Sequence, residues 1–105
     1  MGTPKVTWIM PVRNAGATLD AALESIAAQD YARHELLVWD DGSTDETPDI
    51  LNRWLGRELP GRVIGRSRVG IGRALASLVL AADSELLARA DADDINAPHR
   101  LTRQV

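Results

Sequence analysis

The sequence has 105 residues, 45% hydrophobic and 26% charged, with a formal net charge of −3 and no cysteine. This composition excludes a largely disordered chain, a globally basic surface for nucleic acid, disulfides, thiolate metal sites and a cysteine nucleophile. The length suits one domain, residues 1–105, and the sequence lacks both an apolar run of about 18 residues and a signal-peptide pattern, so we expect a cytoplasmic protein with no membrane span in this chain.

The first half of the chain alternates strand and helix patterns. Residues 6–10 form a short apolar run that ends at a proline and predicts a buried strand. Apolar residues at helical spacing predict a helix over residues 18–28, and the apolar run 36–39 predicts a second buried strand. Ser43 and Glu46, three residues apart, form a capping-box pattern that predicts the start of the next helix.

The second half continues the alternation. Residues 62–65 predict a third strand, Gly70 opens a predicted helix, and residues 85–90 predict a fourth strand. Pro98 suits the first turn of a last helix, because its missing N–H is not needed there. Since the sequence stops about one turn into that helix, we interpret it as the N-terminal part of a longer catalytic domain.

Strands that alternate with helices predict an α/β fold, a Rossmann-like and mostly parallel sheet with helices on both faces. Ligands bind such sheets beyond the carboxyl ends of the strands. Polar residues follow three of the predicted strands at that end, so we expect them to converge on one edge of the sheet. These residues are Arg13 and Asn14, Asp40 and Asp41, and Asp91, Asp93 and Asp94.

The five carboxylates in this set would repel one another at one edge, and a divalent cation would relieve that repulsion. Oxygen ligands without cysteine or clustered histidine favour Mg²⁺ or Mn²⁺, which are commonly shared between carboxylates and phosphates. The pattern therefore predicts a phosphorylated ligand, and His99 is a further candidate because it follows the acidic cluster. The alternative for each acidic cluster is a solvated turn with a helix cap, a position that aspartate favours. We expect Trp8 and Trp39 to pack in the core and His34 to be solvated in a loop.

Three stretches, residues 6–14, 37–45 and 88–95, together resemble the family 2 glycosyltransferases of the GT-A fold in order and spacing. The resemblance extends over essentially the whole chain but covers only the donor-binding part of that family's catalytic domain. It implies a truncated GT-A fold and a nucleoside-diphosphate sugar as donor, with a UDP-sugar as the first expectation. It also implies an acceptor hydroxyl on a saccharide or another molecule, in cell-wall or polysaccharide biosynthesis.

The resemblance assigns roles to the residues around the nucleoside. Asp41 matches the acid that accepts a hydrogen bond from uracil, and Asp40 matches the acid that shapes the turn or contacts the nucleoside. The remaining residues that this resemblance places along the nucleoside pocket are Pro11, Val12, Arg13 and Asn14.

The Asp-x-Asp motif of that family matches Asp91 and Asp93. The resemblance implies that Asp91 contacts the ribose and the metal, and that Asp93 binds the metal on the diphosphate. Asp94 is the adjacent acid and, on the same resemblance, shares the substrate site. The cofactor implied is Mn²⁺ or Mg²⁺, and the reaction implied is a single displacement that inverts the anomeric carbon. The family places its carboxylate base beyond the position of Val105. We therefore expect this chain to bind donor and metal but not to catalyse transfer.

Two other classes of protein fit parts of the pattern. A haloacid-dehalogenase-like phosphatase also uses Mg²⁺ with Asp-x-Asp after a strand, but its motif lies near the start of the domain. A non-enzymatic divalent-cation-binding domain would need a ligand at the position of Ile95 if it used a calcium loop. Both remain open alternatives from the sequence.

Overall fold

Residues 4–104 are described by the structure, a computed structural model. They form four strands and four helices that alternate along the chain. The bounds are β1 Val6–Val12, α1 Leu19–Ala27, β2 His34–Asp40, α2 Thr47–Trp54, β3 Gly61–Gly65, α3 Ile71–Ala81, β4 Leu86–Arg89 and α4 Arg100–Gln104.

The strands form one sheet in the order β3-β2-β1-β4, and every neighbouring pair is parallel. Since β1 lies between β2 and β4, the chain reverses its direction of strand addition after β3. The carboxyl ends of β1, β2 and β4 therefore point towards the same edge of the sheet. This arrangement confirms the predicted Rossmann-like α/β fold.

Alternate residues of the strands face two separate hydrophobic clusters, one on each side of the sheet. Trp8 and Met10 of β1 are fully buried in the larger cluster, which also contains apolar residues of α1, α2 and α4. Ile9 and Leu37 face the smaller cluster with Leu78 of α3. The period of two along the strands therefore confirms helices on both faces of the sheet.

β1 continues two residues beyond the predicted end, through Pro11 to Val12. The ladder explains why proline is tolerated, because Ile9 accepts a hydrogen bond from Ala90 of the β4 side and Val12 accepts one from Asp41 of the β2 side. By alternation, the nitrogen of Pro11 points to the β4 side, where β4 has already ended at Arg89. The missing N–H therefore removes no ladder hydrogen bond.

The predicted helix after β2 is present, but the capping box is wrong. The helix begins at Thr47, and its N-cap residue Glu46 makes no side-chain capping hydrogen bond. The Asp45 Oδ1 atom instead accepts the Thr47 N–H at 2.9 Å. The Ser43 hydroxyl does not cap α2 and instead accepts a hydrogen bond from the Asn14 N–H, 2.9 Å away in the loop after β1.

Smaller differences concern element ends and two aromatic side chains. β4 is shorter than residues 85–90, and α4 begins after Pro98. Trp8 is a core residue as predicted, while His34 belongs to β2 and its Nδ1 accepts the Trp8 indole N–H at 3.1 Å, so it is not simply a solvated loop residue. Trp39 packs against the smaller cluster and is only partly buried. No helix within residues 4–104 is long and apolar enough to cross a membrane.

Candidate functional site

A cleft of about 490 Å³ lies at the carboxyl ends of β1 and β4. We call it the β1–β4 cleft. It brings together the loop after β1 and the acidic segment after β4, which are about eighty positions apart in the sequence. Its lining residues are Pro11, Val12, Arg13, Asn14, Ala15, Thr18, Asp91, Ala92 and Asp93.

The loop after β1 is held in place by the turn after β2. Asn14 has a positive φ of 50°, a conformation that asparagine adopts more readily than most residues. Its backbone N–H donates to the Ser43 hydroxyl at 2.9 Å, and its Oδ1 accepts the Thr44 N–H at 2.7 Å. Two further bonds, from Ala15 N–H to the Thr47 hydroxyl and from Gly16 N–H to Asp45, hold the same loop. The wall of the cleft at Asn14 is therefore set by residues of another strand–helix connection.

Asp40 is 2% exposed and lies outside the lining of the cleft. Its Oδ1 atom accepts the Ser43 N–H at 3.0 Å, which closes the turn after β2. Because the Ser43 hydroxyl in turn accepts the Asn14 N–H, Asp40 acts on the wall of the cleft indirectly, through Ser43. The resemblance implies that Asp40 either shapes the turn or contacts the nucleoside, and the hydrogen bond to Ser43 is the turn-shaping contact.

Asp41 faces the loop between β3 and α3 and does not line the β1–β4 cleft. Its Oδ1 atom accepts the backbone N–H groups of Val69 at 2.6 Å and Gly70 at 3.0 Å, and Arg68 Nε lies 3.6 Å from Oδ2. Hydrogen bonds from N–H groups stabilise the ionised form of a carboxylate and so lower its pKa. The pKa of Asp41 is lowered mainly by the Val69 N–H, then by the Gly70 N–H and by the positive charges of Arg68 and Arg13.

Asp91 and Asp93 both line the cleft, as the motif predicts. The Asp91 side chain is 47% exposed and lies 3.4 Å from the Arg89 guanidinium. Asp93 is exposed, and Asp94 is exposed outside the lining, with its backbone N–H bonded to the Asp91 carbonyl at 3.2 Å. The adjacent acid therefore belongs to the turn that carries the motif.

The five carboxylates follow strands that end at the same edge of the sheet, but they do not form one group. Among residues 4–104, no group of three or more aspartate, glutamate or histidine side chains is arranged to hold a metal ion. The physical reason is that Asp40 and Asp41 are already bound by backbone N–H groups of their own turn and of the loop after β3. Only Asp91 and Asp93 of the five remain in the cleft, a number that suits an ion shared with phosphate oxygens.

His99 does not reach the cleft. Its Nδ1 atom lies 2.5 Å from Asp30 Oδ2, and the Thr102 hydroxyl donates to the other oxygen of the same carboxylate. These contacts, with Thr102 first, lower the pKa of Asp30. The histidine therefore joins α4 to the end of α1 and is a structural residue here.

Sequence reasoning missed two residues near the site. The Thr18 hydroxyl lines the cleft and donates to the Ala92 carbonyl at 2.8 Å, although the sequence marked this residue only as the start of a helix. Arg68 lies beside Asp41 but occurs in a loop without any recognisable pattern. A strand-end rule could not identify either one, because Thr18 and Arg68 do not directly follow a strand.

The sequence and the fold both match known proteins. A family model described as Glycosyl transferase family 2 matches residues 7–105. An uncharacterized glycosyltransferase of Nostoc sp. is 34% identical over 103 residues, which cover 96% of this chain and 32% of the relative. The chain spans about a third of the length of the curated relatives it matches.

Two solved structures are similar over most of the chain. S. aureus TarS 1–349, in complex with UDP-GlcNAc, matches with a TM-score of 0.87 and 27% identity, covering 95% of this chain and 30% of that chain. The mannosyltransferase PcManGT from Pyrobaculum calidifontis, in complex with GDP-Man and Mn²⁺, matches with a TM-score of 0.82 and 32% identity, covering 90% and 29%. The family model from residue 7 onwards, the curated relative and the two similar structures agree, and the chain belongs to glycosyltransferase family 2, with the GT-A fold.

Proposed function

We propose that this chain is the donor-binding part of a glycosyltransferase that moves a sugar from a nucleoside-diphosphate sugar to an acceptor hydroxyl. The observation that carries the proposal is the β1–β4 cleft, which brings the loop after β1 and the acids Asp91 and Asp93 into one cavity. The complexes of TarS with UDP-GlcNAc and of PcManGT with GDP-Man support a nucleotide-sugar donor. We take UDP as the first nucleotide to test.

We propose that Asp91 and Asp93 hold Mn²⁺ or Mg²⁺ together with the diphosphate. The donor set fits such an ion, because both residues line one cleft, both carry carboxylate oxygens and neither is buried. The Mn²⁺ in the PcManGT complex supports the choice of cation. When bound, the cation would supply Lewis-acid stabilisation of the charge that develops on the leaving diphosphate.

The residues of this chain would bind and orient the donor. Arg13 is exposed at the cleft and can donate charge-assisted hydrogen bonds to phosphate oxygens. Pro11 and Val12 offer an apolar wall on the same side, suited to a nucleoside. We also propose that Asp41 accepts a hydrogen bond from uracil. Its carboxylate would then bind both the uracil ring and the backbone of the loop after β3.

We further propose an inverting displacement in which a carboxylate beyond Val105, outside the described residues, takes the proton of the acceptor hydroxyl. On this proposal, residues 1–105 form the N-terminal part of a longer catalytic domain and bind donor without transferring sugar. The complete protein would act in the cytoplasm, at the membrane face, in cell-wall or polysaccharide biosynthesis.

The proposal is tested by calorimetric titration of UDP, and then GDP, into the folded chain with and without Mn²⁺. Saturable UDP binding that requires Mn²⁺ is the expected result, with weaker binding of GDP. Absence of binding by either nucleotide with the metal present would contradict the donor-site proposal. Release of phosphate from a simple phosphate ester in the same samples would instead favour the phosphatase alternative.

A further inference from the structure

Three polar side chains are buried between α1 and the segment that joins β4 to α4. Ser25, Gln29 and Asn96 are 9%, 8% and 8% exposed. Buried polar groups destabilise a fold unless they are hydrogen-bonded, so their partners indicate what these residues hold in place. We call these three residues the α1–α4 network.

Gln29 uses both ends of its amide on the same segment. Its Nε2 donates to the Ala97 carbonyl at 2.7 Å, and its Oε1 accepts the Leu101 N–H at 3.1 Å. The first contact lies before α4 and the second lies in its first turn. One side chain therefore fixes both the end of the connecting segment and the start of the helix.

Ser25 and Thr18 hold the same segment closer to the acidic motif. The Ser25 hydroxyl accepts the Asn96 N–H at 2.9 Å, and the Thr18 hydroxyl donates to the Ala92 carbonyl at 2.8 Å. Ser25 lies within α1, Thr18 is its N-cap residue, and Gln29 follows its C-cap residue Ala28. The segment from Ala92 to Leu101 is therefore bonded at the start of α1, within it and just beyond its end.

The acidic motif lies outside the regular elements, although Ala92 packs against the larger cluster and Arg89 pairs with Asp91. β4 ends at Arg89, and the residues from Asp91 to His99 form no helix or strand. The Asp91 carbonyl accepts the Asp94 N–H within the local turn. The Ala90 N–H still donates to the Ile9 carbonyl, so it is beyond Ala90 that the position of the carboxylates depends on side-chain contacts on either side of the turn.

We propose that Gln29 and Ser25 are positioning residues for Asp91 and Asp93. By fixing Asn96, Ala97 and Leu101 along α1, they hold the acidic turn at the mouth of the β1–β4 cleft. The inference rests on the proposed metal and nucleotide site in that cleft. It assigns a role in donor binding to two residues that touch neither the nucleotide nor the metal.

The test measures the dissociation constant of Mn²⁺ at saturating UDP, by electron paramagnetic resonance of free Mn²⁺, in the whole chain. Gln29→Met keeps the side-chain length without either hydrogen bond, and Ser25→Ala removes the bond to Asn96. Groups bonded directly to metal ligands commonly change metal affinity about tenfold or more. Gln29 and Ser25 act one step further away, through Asn96, Ala97 and Leu101, and we expect a Mn²⁺ affinity weaker by about fivefold in each variant. Asn52→Ala, which removes an exposed amide on α2 paired with Arg66, is the matched control and should bind as the wild type does.

Ser25→Thr separates positioning from packing. Threonine keeps the hydroxyl, and its extra methyl group would lie beside a cavity of about 340 Å³ that Ser25 lines with Ile95 and Asn96. We expect this variant to restore Mn²⁺ affinity to within about twofold of the wild type. Hydrogen exchange at the amides of residues 91–95 should be faster in Gln29→Met and Ser25→Ala than in the wild type and Ser25→Thr.

Folded Ser25→Ala with wild-type Mn²⁺ affinity and wild-type exchange over residues 91–95 would overturn the inference, even if Gln29→Met failed to fold. The network would then serve only to anchor α4. A wild-type chain that bound neither UDP nor Mn²⁺ would overturn the proposed function and this inference with it. Wild-type binding with unchanged variants would overturn the inference alone.

Discussion

Asp91 and Asp93 have different surroundings although both line the β1–β4 cleft. Asp91 lies 3.4 Å from the Arg89 guanidinium, whereas the structure gives Asp93 no ion pair within the described residues. A carboxylate without a competing cation is the more available ligand for a divalent ion. Asp93 is therefore the residue whose loss should affect metal binding most directly.

We expect Asp93→Asn to lower Mn²⁺-dependent UDP affinity by at least about tenfold, since a neutral amide is a much weaker ligand for a hard cation. Calorimetric titration with and without Mn²⁺ gives the metal-dependent part. Asp49→Asn, an exposed acid in the first turn of α2, is the control for net charge. Equal affinities of Asp93→Asn and the control, with both folded, would remove Asp93 from the metal site.

The Asp41 carboxylate is an electrostatic support for the loop between β3 and α3. The Val69 N–H, then the Gly70 N–H, favours its ionised form and lowers its pKa in the folded chain. A lowered folded pKa contributes stability that is present above the unfolded pKa of about 3.9 and is lost as the pH falls through the folded value. Asn can still accept a hydrogen bond but has no charge to protonate.

We therefore expect Asp41→Asn to be less stable than the wild type by a constant margin from pH 7 to about pH 5. The margin should narrow as the pH falls below about 4, because the wild-type carboxylate becomes protonated. Urea unfolding of both proteins across this range measures the difference. A margin that stays the same down to the lowest pH at which both fold would show that charge at Asp41 contributes nothing.

Gly61 of β3 and Gly72 of α3 differ in the space available for a side chain. A Cβ at Gly61, the first residue of β3, would lie 2.2 Å from the Leu36 carbonyl oxygen of β2. A Cβ at Gly72, in the first turn of α3, would meet nothing within 4 Å. The strand therefore needs glycine for close approach of two backbones, while the helix does not need its glycine.

We expect Gly61→Ala to lower the free energy of unfolding by roughly 1–3 kcal/mol, because the backbone of β2 must shift. Gly72→Ala should raise it by about 0.5 kcal/mol, because alanine restricts the unfolded chain and favours the helix. Chemical denaturation of the two variants beside the wild type measures both changes. If both substitutions changed the free energy of unfolding in the same direction, glycine would not be needed at Gly61 for a reason that is absent at Gly72.

The molecule as a whole depends on α4 more than the length of that helix suggests. Leu101 is fully buried in the larger cluster, and Arg100 lies 4.9 Å from the centre of the Trp8 ring. The Leu101 N–H donates to Gln29 Oε1, and the Thr102 hydroxyl donates to Asp30 Oδ1. The segment that carries Asp91 and Asp93 is thus anchored at its far end in the main core.

We expect Leu101→Ala to lower the free energy of unfolding by about 2–5 kcal/mol, because it removes buried methyl groups and leaves a cavity. Leu80→Ala is the control, since Leu80 of α3 is 87% exposed and should change stability by no more than about 0.5 kcal/mol. Urea unfolding followed by circular dichroism compares the two variants. Similar small effects would show that α4 is not part of the cooperative core.

The sequence by itself determined the succession of elements, the parallel sheet and the edge where the site lies. Apolar periodicity reports locally which face of each segment is buried, and strand–helix alternation leaves few topologies. The first and third motifs could therefore be placed together in one cleft. The strand through Pro11 was missed, because only the early end of β4 leaves that residue without a ladder partner.

Only the tertiary structure decided which polar side chains are free to bind a ligand. Asp40 and Asp41 belong to the predicted edge, but backbone N–H groups already bind one oxygen of each carboxylate, and neither residue lines the cleft. Ser25 looks like an ordinary polar residue of a helix and Gln29 like a polar residue just after one, yet they are buried against Asn96 and Ala97, 71 and 68 positions away. A hydrogen bond between residues so distant in sequence leaves no local pattern, because its partner is set by how the helices pack on the sheet.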